Sequence, residues 1–273
     1  MVKLAEFFIL FIAVFPSVII SWKPLSCEQS CPGGPFPTVP YPFGFNSGCE
    51  IQLNCTSNGD VFIGEFSVQQ LNISEGLILV DLPTKCGRPV NALTQLYSEH
   101  YAPISTNAIL MKNCTKQMDD CVVSMKSLYQ DEDCSGAQGG YGNTSCYSSD
   151  ITRMFLDYEN MTSMGCQLLF SGVATEIFEG SSVVSLEAQT VRLGWLVGGS
   201  CDCSDHADCT AIVSPVDGSD GHRCKCNSGF DGDGYKAGSG CRGTKGSFYC
   251  HLISDFIISS FIILDFFQPI LSY

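Results

Sequence analysis

Seventeen cysteines in 273 residues, about 6% of the chain, constrain this sequence more than any other feature. In a reducing compartment thiols stay free and clustered cysteines usually mean metal; at this density the pattern reads instead as disulfides made in an oxidising one. Ten cysteines lie between Cys27 and Cys166, six between Cys201 and Cys241, and Cys250 stands alone. Two even sets and one leftover predict two disulfide-closed modules and a separate tail. The cysteine-free stretch 167–200 is no empty linker. Gln167–Phe170, Val173–Phe178, Val183–Leu186 and Val191–Val197 are short apolar or alternating runs, assigned to the larger module as further strands.

The N-terminus fits export. Lys3 precedes the apolar run Phe7–Phe15, which is short for a membrane span, so residues 1–26 read as a signal peptide cleaved between Ser21 and Ser26. Five Asn-x-Ser/Thr sequons, at Asn54, Asn72, Asn113, Asn143 and Asn160, reinforce that reading as glycosylation sites. The expected location is extracellular or the cell wall, with the C-terminal tail as an optional membrane attachment. That tail, residues 243–273, is rich in Phe, Ile and Leu but carries Asp255 and Asp265 and has no Lys or Arg after Lys245. It reads as a poor membrane segment or as the product of a truncated or mis-spliced transcript.

Fourteen Lys and Arg against 28 Asp and Glu give a net charge of −14, which argues against nucleic acid as a partner. Nothing in the chain suggests catalysis. No Gly-rich nucleotide loop, kinase catalytic loop or Gly-x-Ser-x-Gly elbow occurs, and His100, His206, His222 and His251 form no recognisable constellation. Paired carboxylates such as Asp119-Asp120 sit in polar stretches and read as solvated surface.

The larger module reads as mainly β. Val61–Val68 and Leu77–Val80 are β-prone runs bounded by Asn, Gly, Asp and Pro, and Ile109–Met111 and Cys121–Met125 could add two strands. No window carries a sustained apolar stripe of helical period. Asp131–Tyr147, with four glycines between Cys134 and Cys146, reads as a crosslinked surface loop. The expected architecture is mainly β, disulfide-rich and loop-rich: a β module followed by a smaller cysteine module.

In the smaller module, Cys224-Lys225-Cys226 puts two half-cystines on one face of a strand, too close along the chain to pair with each other. Gly229, Gly232 and Gly234 then permit tight turns back to Cys241. Six cysteines allow 15 pairings from sequence alone. This segment resembles the C-terminal half of an EGF-like domain, here residues 200–242, and the resemblance implies the pairs Cys201–Cys209, Cys203–Cys224 and Cys226–Cys241. Export favours oxidation over a zinc site. Calcium-binding EGF domains carry acidic or amide residues before their first cysteine; Gly198-Gly199-Ser200 supplies none, and Asp231 and Asp233 read as turn residues.

Val39-Pro40-Tyr41-Pro42-Phe43-Gly44-Phe45, between Cys31 and Cys49, is the second motif. With Cys55, Cys86-Gly87-Arg88 and the EGF-like module, it resembles the extracellular region of plant wall-associated receptor kinases and their kinase-like relatives. Residues 27–199 would then be the galacturonan-binding domain and its associated cysteine-rich region, without the family's kinase. Cys31-Pro32-Gly33-Gly34 departs from the Cys-Gly usual in that family.

The resemblance implies pectin or an oligogalacturonide as ligand, with an extracellular protein bound through the EGF-like domain as the alternative. Charge resists the simplest version. Residues 27–199 carry seven basic and eighteen acidic side chains, net −11, and none of the basic ones lies between Lys23 and Lys85. A polyanion would need local basic clusters, for which Lys85 with Arg88 and Lys112 with Lys116 are the close pairs, or calcium as a bridge between carboxylates, the route that the acidic balance favours. Tyr41, Phe43 and Phe45, with Phe36, could offer an apolar platform to sugar faces or pack as a local core. No resident metal or other cofactor is expected.

Overall fold

Alternation along the short apolar runs sets the architecture. In the computed structural model, which describes residues 26–116, 144–149, 152–177 and 184–244, the first of two principal sheets is built from such runs. Its strands are β3 (Asn54–Cys55), β4 (Val61–Ile63), β5 (Phe66–Asn72), β6 (Leu77–Asp81), β7 (Tyr101–Pro103) and β12 (Thr190–Trp195), in the order β3-β4-β5-β6-β12-β7. On β6, Ile78 and Val80 are buried while Leu77, Leu79 and Asp81 are only half-buried, the period-two pattern of a strand with one face in the core.

The second sheet has the order β11-β10-β8-β9, from β8 (Asn107–Lys112), β9 (Thr144–Tyr147), β10 (Leu168–Ile177) and β11 (Val184–Ala188). Both sheets feed one buried cluster, with Ile78, Val80, Val191 and Leu193 from the first and Ile109, Met111 and Leu169 from the second. Burial of this kind is the main favourable term, roughly 1.5–3 kcal/mol for each large aliphatic side chain.

The expected strands around 61–68, 77–80 and 109–111 are present, the first split at Gly64 into the hairpin β4–β5. Gly64 has φ 57°, a left-handed conformation that glycine adopts without strain. Residues 168–170 and 173–177 of two expected runs join in one strand, β10, carried through an irregularity between Leu169 and Ser171. A 3-10 helix (Val90–Leu96) and a five-residue helix α1 (Tyr158–Thr162) had no signal in the apolar periodicity. Both are too short to show one. The leader to residue 25, Cys121–Met125, Asn143, nearly all of the 131–147 loop and the tail from residue 245 lie outside the described residues.

Six disulfides lie wholly within the described residues. Cys27–Cys49, Cys31–Cys55 and Cys114–Cys166 staple the larger module, and Cys201–Cys209, Cys203–Cys224 and Cys226–Cys241 the smaller. Cys86 and Cys146 are also disulfide-bonded. The smaller module is the sheet β13 (Val197–Gly198), β15 (Asp220–Cys226) and β14 (Ala207–Val213), followed by the pair β16 (Phe230–Gly232) and β17 (Cys241–Gly243). Because β13 pairs with β15, this sheet begins before residue 200. Tyr235 and Cys224 belong to the same buried cluster as Phe43 and Trp195, so the two modules share a core.

Candidate functional site

The Tyr41-Pro42-Phe43-Gly44 stretch forms β1 (Phe43–Gly44), which pairs in parallel with β2 (Ile51–Gln52). A Cβ at Gly44 would collide with the sulfurs of Cys27 and Cys49 and with the Glu28 carbonyl. Glycine is therefore what lets the strand lie against the disulfide. Phe43 has no exposure and meets Trp195 edge-on, ring centroids 5.3 Å apart. Tyr41 packs at 5.1 Å against Tyr235 of the smaller module, and burial pushes its phenol up to about 12. Phe36 and Phe45 are partly buried against the same core. Phe43 is thus out of reach of a sugar and packs at the module joint, while Phe36, Tyr41 and Phe45 are half-buried around it.

The basic pairs also divide. Arg88 is 3% exposed, donates through Nε to Glu65 Oε1 at 2.9 Å and lies over the Phe66 ring. Burial lowers its pKa, and the Glu65 carboxylate opposes that shift. Arg88 Nε is engaged by Glu65, while Nη1 is buried without a hydrogen-bond partner among the described residues and the residue lines one cavity with Lys85. Lys85 is exposed beside it, on a cavity of about 380 Å³ that also contains Glu65 and Asp81, so that recess has no basic excess. Lys112 places its ammonium 3.9 Å from the centroid of Phe170, a cation–π contact.

Lys116 goes elsewhere. Its backbone N–H and that of Thr115 both donate to the Met164 carbonyl, at 3.0 and 3.1 Å, beside the Cys114–Cys166 disulfide. This fixes Lys116 on a recess of about 410 Å³ shared with Tyr147, Ser149, Arg153, Asn160 and Ser163. Arg153 is 62% exposed and reaches Asp157 Oδ2 at 3.2 Å. Asp157 caps α1 by accepting from the Asn160 N–H at 3.0 Å, and its Oδ2 also accepts from Asn160 Nδ2 at 3.0 Å. Ser149 Oγ is buried with no hydrogen-bond partner among the described residues. Burial raises the Tyr147 phenol, the Asp157 charge adds to that shift and Arg153 opposes it. Two cations, hydroxyls and a tyrosine on one concave wall suit a carboxylated, hydroxyl-rich ligand. Sequence reasoning missed Arg153, because it tests basic pairs by nearness along the chain.

Arg153 also lines a larger cavity of about 590 Å³, with Tyr97, Met154, Tyr158, Glu159 and Val216. Met154 and Val216 are 40% and 57% exposed there. Among the described residues no group of three or more His, Cys, Asp and Glu side chains could hold a metal ion. Asp233 is saturated by backbone donors, accepting from the N–H groups of Tyr235, Ser239 and Gly240, and Asp231 is exposed. Asn54, Asn113 and Asn160 are exposed and Asn72 is half-buried. No described helix is long and apolar enough to cross a membrane.

Two curated proteins of Arabidopsis thaliana are similar to this chain. Wall-associated receptor kinase-like 14 is 37% identical over 236 residues, 80% of this chain and 32% of the relative. Wall-associated receptor kinase-like 21 is 32% identical over 211 residues, 74% of this chain and again 32% of the relative. The chain therefore spans about a third of the length of these relatives, and their kinase domain lies outside the match. No protein-family profile matches the chain, and no solved structure does.

Proposed function

This chain is a wall-associated receptor kinase-like ectodomain by homology, and from that premise we propose that it binds acidic cell-wall polysaccharide, pectin or its oligogalacturonides, outside the cell. It acts as a binding module without catalysis of its own. The observation that supports this reading is the convergence of Lys116 and Arg153 on one hydroxyl-lined recess, in a module whose other described cations are largely drawn into the fold. Direct ion pairing is accordingly favoured over a calcium bridge. Galacturonate presents its carboxylate to the two cations and its hydroxyls to Ser163 on the recess wall.

The test is binding of oligogalacturonides to the purified chain with and without chelator, beside the methyl-esterified form. The reading expects binding that survives chelation, weakens as salt rises and falls on esterification. Loss of binding in chelator would return the site to calcium bridging. A second reading, recognition of an extracellular peptide, is favoured by the apolar rim of the neighbouring cavity, where Met154 and Val216 stand exposed. Peptide capture that is lost in Val216→Asp, with no response to oligogalacturonide, would favour it.

A further inference from the structure

We propose that an N-linked glycan on Asn160 gates the Lys116–Arg153 recess. The inference deepens the reading above and rests on it for the identity of the ligand. Asn160 is exposed, its sequon is completed by Thr162 two residues further along α1, and its side chain lines the recess. Its Nδ2, the atom that would carry the sugar, sits 3.0 Å from Asp157 Oδ2, the same oxygen that Arg153 Nη1 contacts at 3.2 Å. The first sugar therefore starts beside the guanidinium.

At about 410 Å³ the recess lies near the small end of ligand sites, so a glycan rooted in its wall and a uronate ring compete for one space. The modification is a substitution. Asn160 Nδ2 bonds the anomeric carbon of a lipid-diphosphate-linked oligosaccharide, the diphosphate leaves with the bonding pair, and Nδ2 gives up one proton. The Asn160 backbone N–H still donates to Asp157 Oδ1, so the cap of α1 survives while access to Lys116 closes.

The experiment compares the glycosylated full chain with Thr162→Val, which destroys the sequon and leaves Asn160 in place. The Thr162 hydroxyl donates only to the Tyr158 and Glu159 carbonyls of its own helix, so valine keeps the shape; Asn160→Gln is the second variant. Two readouts are taken: the acylation rate of the Lys116 amine, resolved by peptide mass spectrometry, and affinity for trigalacturonate. The gate predicts a glycan on Asn160 in the parent, several-fold slower Lys116 acylation there, and roughly tenfold weaker sugar binding, equal to about 1.4 kcal/mol. An unmodified Asn160, or equal Lys116 acylation in parent and variants, overturns it. If acylation differs but neither form binds trigalacturonate, the gate stands and the ligand reading fails. If both bind equally through Lys116, the ligand reading stands and the gate fails.

Discussion

Arg223 reaches from β15 of the smaller module to the carbonyl oxygen of Trp195 in β12, donating from Nη2 at 2.6 Å and from Nε at 3.0 Å. Its guanidinium also lies 5.3 Å over the Trp195 ring, and Nη1 donates to the Glu75 carbonyl. Gly76 makes room: a Cβ there would strike the guanidinium. A planar fork of donors over an aromatic ring is what arginine supplies and lysine does not. Arg223 thus adds a polar tie to the aromatic core that the two cysteine-bridged modules share.

Arg223→Ala should leave the Trp195 carbonyl without these donors and destabilise the oxidised protein by about 1–3 kcal/mol. Arg223→Lys should recover only part of that. Denaturant unfolding gives the magnitude, and hydrogen exchange at β13 and β15 should locate the loss at the joint.

Gly44→Ala should be among the most damaging single substitutions, because the added methyl meets a disulfide and a backbone carbonyl rather than a flexible side chain. A cost on the order of 3 kcal/mol or more is expected. Alkylation without reduction, followed by peptide mapping, should label Cys27 and Cys49 in the variant and leave those two unlabelled in the parent.

Alkali should loosen the joint. Tyr235 is 1% exposed and accepts from the Cys224 N–H, yet burial pushes its phenol up to about 12, above the ordinary 10. The folded state binds this proton more tightly than the unfolded state does. Its contribution is therefore complete below pH 10 and lost as pH rises towards 12, on the order of 2 kcal/mol for a shift of this size. Tyr41, more exposed, adds less. Stability measured against pH should fall across that window, with tyrosinate absorbance rising late; Tyr235→Phe should flatten the fall.

Much of the fold was legible because short-range rules govern it. Alternating runs announced β4 to β6, β8 and β12, and the cysteine spacing announced the modular build. The joint was not legible. Arg223 in β15, Trp195 in β12 and Gly76 in the turn before β6 are separate along the chain, and no periodicity links them. The same limit hid the candidate site. Lys112 and Lys116 are close in sequence, but one lies over Phe170 while the other lines a recess with Arg153. The aromatic motif was visible as a motif, but whether it faces a sugar or Trp195 depends on a neighbour more than a hundred residues away.

The most direct measurement is trigalacturonate affinity, in chelator, for the sequon-free Thr162→Val chain and for the same chain carrying Lys116→Ala with Arg153→Ala. Lys85→Ala serves as the control, since Lys85 lines a different cavity. Each exposed charge contact contributes roughly 0.2–1 kcal/mol, and more where it is hydrogen-bonded to a carboxylate. The double variant should therefore lose about tenfold or more in affinity and most of its salt dependence, while Lys85→Ala stays at the parent value. Unchanged affinity in the Lys116/Arg153 variant, or loss of binding in Lys85→Ala, would contradict the assignment of this recess as the polysaccharide site.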